Sequence, residues 1–129
     1  MALREKLTER VQPLLTPGDQ VRHVFMTQSG MSPYSPLGGL IGAYVRKYWV
    51  VAVTDTEFVI CKASLFGATK PKSVTGAVPR FVINPEGKLW AKVQLGETTH
   101  YLHRRFFSDA KAQDAELEGG GVAAPPPPA

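Results

Sequence analysis

Leu3, Leu7, Val11 and Leu14 recur at spacings of four, four and three, so they fall on one face of a helix. Arg4, Glu5, Lys6, Glu9 and Arg10 fall on the other face. The pattern predicts an amphipathic helix over Ala2 to Leu15, its regular part ending just before Pro13. Thr16-Pro17-Gly18-Asp19 then turns the chain. From Gln20 to Gln28 the sequence is rich in Val, Phe, Met and Thr and reads as a first strand. Tyr48 to Val53 is a nearly continuous apolar run within a strand over Lys47 to Thr54, the signature of a strand buried on both faces. Thr54-Asp55-Thr56 is a tight turn, and Glu57 to Lys62 closes a hairpin. Val74 to Pro79 predicts a short edge strand, because Pro79 has no N–H for a ladder. Arg80 to Asn84, Leu89 to Leu95 and Thr98 to His103 are three further strands, with Asn84-Pro85-Glu86-Gly87 and Gly96-Glu97 as turns. Arg104 to Leu117 predicts a closing helix with Phe106, Ala110, Gln113 and Leu117 on one face.

The pattern therefore predicts a mainly β fold, about seven short strands in meander order between two helices, as a small bent antiparallel barrel capped by the C-terminal helix. Residues 1–15 form the N-terminal helix, 16–117 the domain, and 118–129 a Gly/Pro-rich tail that cannot pack a core. The chain has 129 residues. Some 105–115 of them remain to fold, enough for a single unstapled core.

One segment breaks the pattern. Ser29 to Tyr44 contains two prolines and four glycines, and no charged side chain occurs from Val24 to Val45. Met31, Tyr34, Leu37, Leu40, Ile41 and Tyr44 are its large apolar residues. Exposed, they would form an apolar patch suited to a protein partner, a second copy or a membrane surface; folded inward, they belong to the core.

Charge adds a second candidate. The formal net charge is +4. Between Tyr44 and Lys92, eight cations stand against Asp55, Glu57 and Glu86. Of these, Arg46, Lys47, Lys62, Lys70, Lys72 and Arg80 could converge on one rim and hold an anionic lipid or phosphate ligand; otherwise they form a solvated basic face. His103, Arg104 and Arg105 either position the final helix or add to a cationic patch. Nucleic acid is disfavoured, since the nearby aromatics Tyr48 and Trp49 sit in the most apolar strand.

Little else in the sequence carries chemistry. Cys61 is the single cysteine and lies in an apolar strand, which excludes an internal disulfide and a thiolate-rich zinc site. His100 and His103 fall on opposite faces of one strand, and His23 is distant in sequence, so no metal is expected. No nucleotide-binding loop, paired carboxylates or activated nucleophile can be identified, and the expectation is a non-enzymatic module without cofactor. A charged N-terminus without an apolar run after it predicts a cytoplasmic chain, peripheral to the inner membrane face if it binds anionic lipid.

The order of elements, with Arg46-Lys47-Tyr48 leading into Val50-Val51-Ala52-Val53-Thr54-Asp55, then Pro79-Arg80, Gly87-Lys88-Leu89-Trp90 and His103-Arg104-Arg105-Phe106-Phe107, resembles the pleckstrin-homology-like fold. It looks like a small family of bacterial, mainly actinobacterial, proteins with that fold. The resemblance covers roughly Leu14 to Leu117. It implies a bent seven-stranded barrel that binds lipids, peptides or proteins, or scaffolds. The lipid-binding members use a basic loop between the first two strands. Here the matching segment, Ser29 to Tyr44, has no Lys or Arg.

Overall fold

The computed structural model describes residues 3–30, 47–63 and 71–119. Helix α1 runs over Leu3–Val11 and tightens into a 3-10 turn over Gln12–Leu14. The change falls where Pro13, which lacks an N–H and clashes with the preceding turn, makes the α form costly. Strands follow at His23–Ser29 (β1), Lys47–Val53 (β2), Glu57–Ala63 (β3), Pro71–Pro79 (β4), Trp90–Leu95 (β5) and Thr98–His103 (β6). A 3-10 turn at Arg104–Phe106 leads into helix α2, Phe107–Glu118.

The six strands form one antiparallel sheet in the order β4-β3-β2-β1-β6-β5. Val50, Val51, Ala52 and Val53 are all buried, so central strand β2 is covered on both faces as its apolar run predicts. The Thr54–Thr56 turn closes the β2–β3 hairpin, with Thr54 N–H donating to the Glu57 carbonyl at 2.9 Å. β4 is an edge strand, largely exposed. A Cβ placed on Gly96 would lie 3.7 Å from Val78 Cγ1, so the β5–β6 turn rests against β4 at the far edge of the sheet. The sheet thus curls toward itself, but no ladder joins β4 to β5 among the described residues. Inside the curl, Phe58 meets Phe25 at 6.2 Å and Phe81 at 5.1 Å, both edge to face. Leu7 and Val11 of α1 and Phe106 and Ala110 near the start of α2 complete the same core. Burying each large side chain contributes about 1.5–3 kcal/mol.

The expected seventh strand is a correction. Arg80 to Asn84 alternates like a strand, yet no ladder claims it. Side chains of α2 take its backbone groups instead. Asp114 accepts from the N–H groups of Ile83 at 2.8 Å and Asn84 at 2.7 Å, and Gln113 Nε2 donates to the Phe81 carbonyl at 3.0 Å. Backbone groups satisfied by side chains need no neighbouring strand. Among the described residues six strands form one unclosed antiparallel sheet, and the expected seventh strand and barrel closure are not seen there.

Arg80 ties this segment to the rest of the fold. Its side chain is 0% exposed. Nη1 donates to the Thr54 carbonyl at 3.1 Å, Nε to Gln113 Oε1 at 3.2 Å and Nη2 to the Gln113 carbonyl and Glu116, each at 3.2 Å. Glu116 also accepts from His23 Nε2 at 2.7 Å and Arg22 Nε at 3.1 Å. One carboxylate thus links α2 to β1 and to the turn after β4. Burial would raise its pKa, but hydrogen bonds from His23, Arg22 and Arg80 hold it down at about 2.

Candidate functional site

Cross-strand partners share a face of a sheet. The registers Gln28↔Tyr48, Gln28↔Tyr101 and Trp90↔His103 therefore put Met26, Gln28, Tyr48, Trp90 and His103 on one face. Over that face the 3-10 turn brings Arg105 and Phe106. Between them lies an open groove of about 240 Å³. Met26, Tyr48, Trp90 and Phe106 supply its apolar walls, with Thr27, Gln28, His103 and Arg105 as polar lining.

The cationic end is built with few degrees of freedom. Arg104 N–H donates to the Leu89 carbonyl at 2.8 Å, which fixes the 3-10 turn to the start of β5. His103 Nδ1 accepts from the Arg105 N–H at 3.1 Å, so the neutral ring carries its proton on Nε2. Partial burial and the cations of Arg105 and Arg104 lower its pKa. The His103 ring packs edge to face with Trp90 at 4.9 Å, and the Arg105 guanidinium lies 5.5 Å from the Phe106 ring centre. Gln28 is only 7% exposed, and its side-chain amide makes no hydrogen bond among the described residues. It opens onto the groove.

The backbone behind Trp90 is constrained. Gly87 has φ +136°, and a Cβ there would collide with the Trp90 carbonyl oxygen. Gly87→Ala is expected to cost about 1–3 kcal/mol and to shift the Trp90 environment. Urea unfolding followed by tryptophan emission measures both.

The residues proposed from the sequence divide three ways. Met31, Tyr34, Leu37, Leu40, Ile41 and Tyr44 lie outside the described residues, as do Arg46 and Lys70. Lys47 and Lys62 are exposed and share the face opposite the groove, flanking Trp49, whose Nε1 donates to Ser29 Oγ at 2.7 Å. Lys72 is exposed beside Ser73, the partner of Lys62. Arg80 does not join them. It follows Pro79, at the other end of β4 and about 20 Å along the strand from Ser73, and its donors are committed inside the protein. The groove itself escapes sequence reading except for His103, Arg104 and Arg105, because it draws on β1, β2, β5, β6 and the 3-10 turn.

Two other arrangements test for chemistry. Thr27 Oγ1 and His100 Nδ1 share a hydrogen bond of 2.7 Å, the kind of pair that activates a hydroxyl. His100 is 2% exposed, and burial pushes its pKa down to about 4, which makes it a weak base at neutral pH. Cys61 is buried and its thiol is pushed up to about 11 by the same cause. No group of three His, Cys, Asp or Glu side chains among the described residues could hold a metal ion. No helix among them is long and apolar enough to cross a membrane.

Scans against protein-family models, curated proteins and solved structures returned no match.

Proposed function

We propose that this chain is a non-enzymatic interaction module that holds a protein partner or a second copy of itself at the groove. The observation that carries this reading is the groove's lining: four large apolar side chains around open space, with a few convergent polar groups at one end. Its volume of about 240 Å³ is below the range of roughly 300–1,000 Å³ usual for drug-sized ligands. It suits one anchor side chain of a partner, the element that dominates protein interfaces. In sequence, residues 31–46 join β1 to β2, both of which line the groove. The pleckstrin-homology-like architecture belongs to the same proposal, supported by the β1–β4 meander, the C-terminal helix and the approach of the β5–β6 turn to β4.

Light scattering across a concentration series tests the self-association form. If the partner is a second copy, the wild type forms a dimer and Leu40→Asp with Ile41→Asp gives a folded monomer. Unfolding of that variant would instead assign Leu40 and Ile41 to the core. A wild-type monomer at every concentration moves the contact to another protein or to an anionic surface. Lys47 and Lys62, exposed on one face of adjacent strands, favour the last of these as a second reading. Its signature is vesicle binding that weakens steeply with salt, since the screening length is only ~8 Å at physiological ionic strength.

A further inference from the structure

Resting on that reading of the groove, we infer that its occupant is the C-terminal residue of a partner protein, a large apolar side chain between the walls with its free carboxylate against His103 and Arg105. Three observations point there. Among the described residues no carboxylate lines the groove, while His103 and Arg105 do, with Arg104 beside them. Gln28 is nine-tenths buried, has no hydrogen-bond partner among the described residues, and opens onto the same space. An amide that faces the groove without a protein partner among the described residues is free to exchange hydrogen bonds with a ligand. The groove also has room for about one residue, and a C-terminal residue carries its charge and its apolar group within that span.

The geometry divides the roles. Arg105 is exposed, its side chain lies over Phe106 and it makes no ion pair among the described residues, so it is placed to meet an incoming anion. His103 has its Nδ1 occupied by the Arg105 N–H, which leaves Nε2–H as a donor to a carboxylate. Gln28 offers an amide that both donates and accepts, suited to the peptide group before the terminal carboxylate. Trp90 and Tyr48 provide flat apolar surface at little cost in side-chain entropy.

Tryptophan-fluorescence titration of the full chain with four small probes tests this. N-acetyl-L-phenylalanine carries ring, peptide group and carboxylate; its amide lacks the charge; N-acetylglycine lacks the ring; 3-phenylpropionate lacks the peptide group. The acid is expected to bind about tenfold more tightly than each of the other three. Arg105→Gln, checked for folding by circular dichroism, should bring acid and amide within about twofold of each other. Gln28→Leu should remove the advantage of the acid over 3-phenylpropionate. Equal binding of acid and amide would overturn the inference and leave the groove reading standing. Binding of N-acetylglycine as tight as the acid would reduce the site to unspecific charge and overturn it. Tighter binding of 3-phenylpropionate would reassign the groove to free organic acids and also overturn it. Failure of every ring-bearing probe to bind would overturn the groove reading itself.

Discussion

Replacing Arg80 with alanine is expected to lower the unfolding free energy by about 3–5 kcal/mol. The guanidinium has no exposed area and donates to Thr54, Gln113 and Glu116 at once. Truncation leaves the Thr54 and Gln113 carbonyls without this donor and takes a buried cation from Glu116. Removing one partner from a buried network costs far more than the net worth of the intact bonds. Domains of this size have only about 5–15 kcal/mol of total stability. A loss of 3–5 kcal/mol should lower Tm by at least ~12 °C. Arg80→Lys should recover only part of this, because one ammonium cannot span from the Thr54 carbonyl to α2. By contrast, the Arg22–Asp55 pair is largely exposed, with side-chain exposures of 39% and 71%, and Asp55→Ala should cost far less than Arg80→Ala because solvent screens the pair. Urea denaturation of the three variants checks the order. An Arg80→Ala loss no larger than that of Asp55→Ala would contradict the account of this network.

Acidification should destabilise the protein in two consecutive windows, the first carried by His100. Burial lowers its pKa from 6.5 to about 4 in the folded state. As pH falls through 6.5 the unfolded chain takes up a proton that the native protein refuses, so stability falls. The loss is complete near pH 4, where the native ring also titrates, and amounts to about 3 kcal/mol. Glu116 carries the second window. Its folded pKa of about 2 lies below the ordinary 4.5, so its stabilisation is present above 4.5 and is lost as pH falls toward 2. His100→Gln should flatten the stability curve between pH 6.5 and 4 and keep the lower window. Glu116→Gln should do the reverse, at the cost of its links to His23 and Arg22. A His100→Gln curve with the wild-type slope above pH 4 would sink the assignment.

These two networks mark where sequence reading stops. Val50 to Val53 declares a doubly buried strand by composition alone, and Pro79 declares an edge because it cannot donate to a ladder. The Thr98–His103 strand lies where alternation and the Gly96-Glu97 turn put it. Phe81 and Ile83 alternate as well as any strand, yet their segment is claimed by Asp114 and Gln113, thirty residues on in the chain. Local periodicity cannot reveal that competition. One signal was nevertheless present. Gln113 shares the apolar face of the predicted closing helix with Phe106 and Ala110, and a polar group on a buried face needs a buried partner. Arg80, the single charge between Pro79 and Ile83, is that partner. The groove is less legible still. Its side chains come from distant stretches and become neighbours only through the β1–β2, β1–β6 and β5–β6 registers. Only its cationic corner, His103 to Arg105, is continuous in sequence.

The recognition role of the groove is the central claim, and amide chemical-shift mapping of the full chain with N-acetyl-L-phenylalaninamide tests it most directly. The account predicts saturable shifts confined to Met26, Gln28, Tyr48, Trp90 and the His103–Phe106 turn. It also predicts their loss in Trp90→Ala with the rest of the spectrum unchanged. Shifts scattered over the surface, or a map centred on Lys47 and Lys62, would contradict it.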